Sequence, residues 1–342
     1  MNKKHGFGII GCGLIANWHA DSVCKIENAE LIGVTDVNIK SASDFAEKYN
    51  CKVFSSVEEM LACDEVEVVS ICTPSGLHAP MAQKAAEAGK HFVVEKPFAI
   101  TKEQIAGVIS ACEKNKVKGA VISQLRFTQS VKFVKKAIED GVLGNIILAD
   151  VYMKYYRSPE YYASSSWKGT WAMDGGGALM NQGIHGIDLL QYIMGPVKSV
   201  QAISKTLFHN IETEDTLVAI LEYENGAVGT VQATTSVYPG YQRKISVCGT
   251  EGTVVLCEDK IESWDMKNKD FMPVISNDGL NMKTGSRPDG MDFSLHKMQL
   301  NDFVECIKNN KKPFIDAYEG KKSVEIICAI YKSAKNGTKI YL

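Results

Sequence analysis

A strand-like run ending at Ile10, a glycine turn and a helical run from Ile15 constrain this chain more than any other feature. The turn reads Gly11-Cys12-Gly13-Leu14-Ile15-Ala16, a G-x-G-x-x-A pattern between a predicted strand (6–10) and a predicted helix (15–26). Gly11 permits the tight turn, Gly13 lets backbone approach a pyrophosphate, and Ala16 keeps the helix close to the strand. The helix N-terminus, with Leu14 and Ile15, then attracts phosphate. Alone the pattern is weak; its context is a strand before, a helix after and an acid some way on. Asp36, at the end of the next predicted strand (30–35), meets that last condition. Two readings of Asp36 stand: it bonds the adenosine ribose hydroxyls, or it caps the following helix. On the first, its carboxylate repels the extra phosphate of NADP and favours NAD.

The same alternation continues to residue 123. Further strands are expected at 52–54, 66–72, 91–94 and 118–123, with helices at 39–49, 57–62, 79–88 and 102–114. Repeated strand–helix order predicts a parallel, doubly wound sheet, a Rossmann domain over 1–123. Ligands in such sheets bind beyond the carboxyl ends of the strands. Thr73, Pro74 and His78, after the fourth long strand, stand where they line a cofactor cleft or simply make a turn and start a helix. The next strand runs into Glu95-Lys96-Pro97, a charged pair that faces the same cleft or begins a surface turn. In the cleft, the Lys96 ammonium would donate to a substrate hydroxyl oxygen and stabilise developing alkoxide.

From 124 to 342 the pattern changes. A helix at 131–140 is followed by alternating runs at 146–156, 197–208, 216–223, 227–235, 243–247, 253–256 and 260–264. Asn225-Gly226 is a hairpin signal. These runs predict a second α/β domain with a broad, mostly antiparallel open sheet, one face of which is wet or meets an oligomer partner. A polar loop at 268–292 is read as a closure over substrate, and helices at 295–308 and 318–334 end the fold. Within this half, Asp174-Gly175-Gly176-Gly177 leads to Asn181-Gln182-Gly183-Ile184-His185 and then Asp188. The glycines mark backbone passing close to something. On a helix, Asn181 and His185 share a face with Asp188 beside them. A neutral His185 imidazole suits acceptance of a hydroxyl proton; the alternative is a structural histidine.

Composition narrows the classes. Charged residues make up 23% and net charge is −2, which leaves no electrostatic footprint for nucleic acid or an anionic membrane. No run reaches the length of a membrane span. Lys3 and Lys4 before the apolar run superficially resemble a signal peptide, but the glycine turn explains that run better. The ten cysteines are scattered without C-x-x-C or zinc spacing, as expected of thiols in a reducing cytoplasm, and no metal site is predicted.

Together the Gly11/Gly13/Ala16 turn, Asp36, Glu95-Lys96-Pro97 and the glycine-rich segment leading to His185 and Asp188 resemble the glucose–fructose oxidoreductase/inositol dehydrogenase/MocA (Gfo/Idh/MocA) family, over nearly the whole chain. The resemblance implies a Rossmann domain, NAD as cofactor, and hydride transfer to or from a secondary alcohol of a sugar, sugar derivative or cyclitol. It implies Lys96 and His185 as catalytic residues and a homo-oligomer formed through the C-terminal sheet. Asn181 stands where many inositol dehydrogenases of the family carry aspartate, which resembles the branch acting on sugar nucleotides and anhydrosugars. On that basis Trp167 and Lys168 approach the cofactor, beside Cys12 and Glu95, and Asn181, Gln182, Lys96 and Arg157 contact substrate. Arg126 and Arg243 are further basic residues suited to an acidic group on the sugar, or to ion pairs. Two other readings are an NAD-dependent glycoside-cleaving enzyme using transient oxidation and a silent NAD-binding sensor.

Overall fold

Strands β1 (His5–Ile10), β2 (Ala29–Thr35), β3 (Lys52–Val53), β4 (Val68–Ile71), β5 (His91–Val94) and β6 (Gly119–Val121) form one parallel sheet in the order β3-β2-β1-β4-β5-β6. Strand order reverses between β1 and β4, the switch point where a doubly wound sheet binds ligands. The structure, a computed structural model, describes residues 3–258, 260–268 and 293–342. The expected loop at 268–292 therefore lies almost wholly outside the described residues.

Helices α1 (Leu14–Val23), α2 (Ile39–Tyr49), α3 (Val57–Ala62), α4 (His78–Glu87) and α5 (Lys102–Asn115) connect these strands. Their limits follow from local chemistry. Asn38, Ser56 and Thr101 cap the N-termini of α2, α3 and α5, and Asn50 takes the left-handed conformation (φ 50°) at the end of α2. Ala16 and Ala20 of α1 and Ala42, Phe45 and Ala46 of α2 pack with Ile9 and Val34. Small residues let α1 lie close to the sheet.

The chain divides into two compact units, 1–124 with 293–321 and 125–292 with 322–342. The sequence pattern places everything after 123 in one domain; in the structure residues 293–321 return to the first unit. Leu300, Phe303 and Val304 of helix α9 (Ser294–Lys308) bury against Phe7, Val68 and Val93 of the parallel sheet. Gln299 also donates to the Val121 carbonyl at 2.7 Å and accepts from the Ser123 amide at 3.0 Å.

The second unit holds an eight-stranded sheet. Its strands are β7 (Ile146–Lys154), β8 (Val197–Lys205), β9 (Thr216–Tyr223), β10 (Val228–Thr234), β11 (Lys244–Gly249), β12 (Gly252–Cys257), β13 (Lys260–Met266) and β14 (Ile340–Tyr341), in the order β13-β12-β11-β7-β10-β9-β8-β14. Only β7 and β10 pair in parallel; the other pairs are antiparallel. This is the mostly antiparallel sheet expected. Side chains alternate: Leu217, Ala219 and Leu221 are buried while Val218 and Ile220 are exposed. Helix α8 (Ile184–Met194) crosses β7 so closely that a Cβ on Gly186 would lie 2.3 Å from the Met153 sulfur. Helices α6 (Gln129–Glu139) and α7 (Pro159–Ala163) belong to the same unit, and the division between units falls within α10 (Ala317–Asn336).

Candidate active site

In the first unit the glycine turn has the geometry a dinucleotide needs. Gly11 has φ +92°, and a Cβ there would meet the Cys72 carbonyl at 2.8 Å. Gly13 has open space where its Cβ would stand. Helix α1 begins directly after it, without a side-chain cap and without an acid in its first turn. Its unsatisfied N–H groups and positive dipole end are thus left for an anion.

Asp36 is tied to this turn. The Cys12 amide donates to its Oδ2 at 2.7 Å and the Asn38 amide to its Oδ1 at 2.8 Å. Asn38, not Asp36, caps α2 by accepting from the Lys40 and Ser41 amides, so the capping alternative for Asp36 falls. Burial and the Asp36 charge push the Cys12 thiol up to about 12, which keeps it neutral. Just after β4, the Thr73 hydroxyl oxygen is buried without a hydrogen-bond partner among the described residues. Buried polar atoms are normally satisfied. Thr73, before the turn begun by Pro74, therefore fits a bound polar group. These features fit NAD: Gly11, Cys12, Gly13, Leu14 and Ile15 would hold the pyrophosphate, Asp36 the ribose, and Thr73 and Pro74 the cleft wall.

Two residues expected at the cofactor face inward instead. His78 is buried; its Nδ1 lies 2.6 Å from the Pro97 carbonyl and its Nε2 2.8 Å from the Thr73 carbonyl. A neutral ring donates to one of these carbonyls and rests against the other, so it lies between the turn after β4 and the Lys96–Pro97 turn with both edges against backbone. Burial holds its pKa below the ordinary histidine value. Glu95 is also buried; its carboxylate meets His19, His296 and the Lys96 amide. Those ring contacts hold it well below the usual carboxylate range against the opposing effect of burial. Lys96 itself is half-buried at the carboxyl edge of the sheet, before a cis bond to Pro97.

In the second unit the glycine-rich segment passes against Glu214. The Gly177 and Leu179 amides donate to its carboxylate at 3.0 and 2.8 Å, and the Tyr331 hydroxyl adds a third bond at 2.8 Å. A Cβ on Gly177 would lie 1.9 Å from the Glu214 carbonyl, and one on Gly176 would lie 2.2 Å from the Tyr331 hydroxyl. Burial raises the Glu214 pKa despite these donors. Residues Ala178–Gly183 then form a π-helical turn that runs into α8, with His185 half-buried in its first turn. Such π-turns are frequent at functional sites.

Asn181, Gln182 and Arg157 are brought together there. Asn181 donates to the buried Asp174 carboxylate, whose other oxygen accepts from the Gly169 amide at 2.9 Å. Gln182 donates to the Asn181 side-chain oxygen and to the Tyr161 hydroxyl, both at 2.9 Å, and accepts from Arg157 Nη2 at 2.7 Å. Lys168 donates to the Ser164 hydroxyl at 2.9 Å and lies over the Tyr161 ring; Trp167 precedes it, half-buried. Arg126 and Arg243 pair with other carboxylates. Each is buried in an ion pair, with Asp188 at 2.6 Å and Glu258 at 3.1 Å. Asp188, expected beside His185, is thus held by Arg126.

Sequence reasoning missed His19, His296, Asp174, Tyr161, Glu214 and Tyr331. Asp174 had a local signal, standing directly before the glycines; the others join through contacts distant in sequence.

Comparison with known proteins agrees with this geometry. The NAD-binding Rossmann fold of an oxidoreductase family matches residues 5–123, and the GFO/IDH/MocA C-terminal domain matches 131–255. D-glucoside 3-dehydrogenase of Escherichia coli (strain K12) is 27% identical over 98% of this chain and 96% of its own length. Inositol 2-dehydrogenase of Rhizobium meliloti (strain 1021) is 26% identical over 94% and 90%. The WlbA dehydrogenase from Bordetella pertussis, solved in complex with NADH and UDP-GlcNAcA, superposes with a TM-score of 0.89 at 34% identity, covering 99% of both chains. The chain belongs to the Gfo/Idh/MocA family of NAD-binding oxidoreductases.

Proposed function

We propose that this protein oxidises a secondary alcohol of a sugar, sugar derivative or cyclitol with NAD, or reduces the corresponding ketone. The observation that carries the reading is the cap-free helix behind Gly13 with Asp36 at its side, in a chain of this family. NAD, when bound, supplies the hydride acceptor. Lys96 is assigned to the alcohol oxygen, where its ammonium donates and offsets charge as the C–H bond breaks. His185 is assigned the hydroxyl proton, as neutral imidazole taking it in the oxidising direction and returning it in reduction. Asn181, Gln182 and Arg157 supply the second unit's substrate contacts, and Trp167 and Lys168 approach the cofactor. The Bordetella pertussis relative makes a UDP-linked sugar the first substrate to test, because its 34% identity spans 99% of both chains.

The outer face of the eight-stranded sheet is proposed to meet a second copy of the chain. Ile203, Val218 and Ile220 are neighbours on that face and are 67%, 48% and 55% exposed. Contiguous exposed apolar surface marks an interaction site.

The test is NADH absorbance with a panel of UDP-linked sugars, glucosides, anhydrosugars and inositols, run on wild type, Lys96→Ala and His185→Ala. Turnover lost in both variants with NAD binding kept supports the assignment. Silence of the wild type across the panel, despite NAD binding, overturns it.

A further inference from the structure

We infer that His19 and His296 are positioning residues for Lys96: both rings hold one oxygen of Glu95, leaving the other to fix the Lys96 amide. The inference rests on the reactive role proposed for Lys96. His19 lies on α1, Glu95 follows β5 and His296 stands in the first turn of α9, all in the first unit. The Nε2 atoms of His19 and His296 lie 3.1 and 3.2 Å from the same Glu95 oxygen, Oε1. The Lys96 N–H donates to Oε2 at 3.2 Å. All three side chains are buried, at 0%, 6% and 2% exposure.

A carboxylate removed from water needs donors on its lone pairs. Two neutral imidazoles meet that need as Nε2–H tautomers. Each ring then turns an unprotonated Nδ1 away from Glu95. That of His19 lies 3.2 Å from the Ser70 hydroxyl, which donates to it. That of His296 is buried with no hydrogen-bond partner among the described residues. A bare acceptor there is tolerable, whereas a bare N–H would be a buried unsatisfied donor. The edge of Trp18 against the His296 ring, 5.3 Å between centroids, helps to set its plane.

The same three residues present ligand atoms within 4.8 Å of one another, a spacing open to a metal ion. Coordination through Nε2 would put the proton on Nδ1, and for His296 that proton would face no acceptor among the described residues. The tautomer that suits the site therefore donates to Glu95. Helix α9 thus acts on the Lys96 turn from 201 positions further along the chain.

The test uses the full chain with His296→Leu, which removes the donor, His296→Gln, which keeps an N–H, and Lys96→Ala. Hydrogen exchange of the peptide carrying the Lys96 amide should rise about tenfold in His296→Leu relative to distant peptides. It should stay near wild type in His296→Gln. With whichever panel sugar turns over, kcat should fall with the same order, Leu below Gln, while KM for the sugar and NAD affinity change little. If His296→Leu does not fold, His296→Asn, too short to reach Glu95, takes its place with the same expected exchange. Unchanged exchange in the donor-free variant, equal losses in Leu and Gln variants, or stoichiometric metal in the purified protein would each overturn the inference. Turnover surviving in Lys96→Ala would instead overturn the role of Lys96 and leave the exchange result standing.

Discussion

Arg126 holds both carboxylate oxygens of Asp188, with Nε at 2.9 Å and Nη2 at 2.6 Å, in a pair of which neither side chain is more than 4% exposed. Asp188 lies three residues after His185 on α8, so the pair anchors the helix that presents the proposed base. Removing one partner strands a buried charge, which costs about 3–5 kcal/mol. Arg126→Ala should lower the melting temperature sharply, as followed by circular dichroism. Arg126→Lys should recover only part of the loss, because an ammonium lacks the planar fork whose two nitrogens meet the two oxygens.

Gly11 and Gly13 should respond oppositely to alanine. At Gly11 the positive φ and the nearby Cys72 carbonyl make a Cβ strained, by about 1–3 kcal/mol. Gly11→Ala should unfold at lower denaturant concentration. At Gly13 a Cβ meets nothing within 4 Å, so the free protein should keep its stability. The methyl would instead occupy space assigned to the dinucleotide, and NAD titration should show weaker binding.

Asp36 is held in place by the Cys12 and Asn38 amides. A hydrogen bond to a charged group contributes about 1.5–3 kcal/mol, so Asp36→Ala should weaken NAD binding at least about tenfold. NADP should lose less, because the repulsive carboxylate goes too. Parallel titrations with the two dinucleotides measure the ratio.

Acid should weaken the first unit in two stages. Burial holds His78 and His296 below the ordinary histidine value of 6.5, so the unfolded chain takes up their protons first as pH falls. Stability due to them is present above that value and is lost as pH drops through it. Glu95 is held well below 4.5, so its contribution is present above 4.5 and disappears in stronger acid. Melting temperatures from pH 8 downward should decline from about 6.5, and His296→Gln should flatten the first stage.

A charge on the outer sheet face should separate subunits. Val218→Glu or Ile220→Lys places a charge among exposed apolar neighbours, away from the proposed reactive residues. Light scattering should report a smaller species with its fold intact; an unchanged mass would remove that face as the contact.

What the sequence revealed and what it concealed divide by range of interaction. The glycine turn, Asp36 and the strand–helix alternation are local, written in neighbouring residues, and the structure has them where they were expected. His78 reads as a residue for the cleft because its sequence position says nothing of the Pro97 carbonyl, 19 residues away, that takes its ring. Glu95 reads the same way, since His19 and His296 reach it across 76 and 201 positions. The π-turn at Ala178–Gly183 carries no pattern of its own either. It is shaped by Glu214, whose carboxylate gathers amides from a strand-edge position 35 and 37 residues on.

The return of α9 to the parallel sheet has a consequence for biosynthesis. Strands β1 to β6 leave the ribosome well before Leu300, Phe303 and Val304, which complete their core. Until they are made, the apolar surface they cover on the nascent sheet should stay exposed, and a core left incomplete in this way is prone to aggregate. A fragment ending at residue 124 should therefore emerge sticky and poorly folded, although it contains the whole dinucleotide fingerprint.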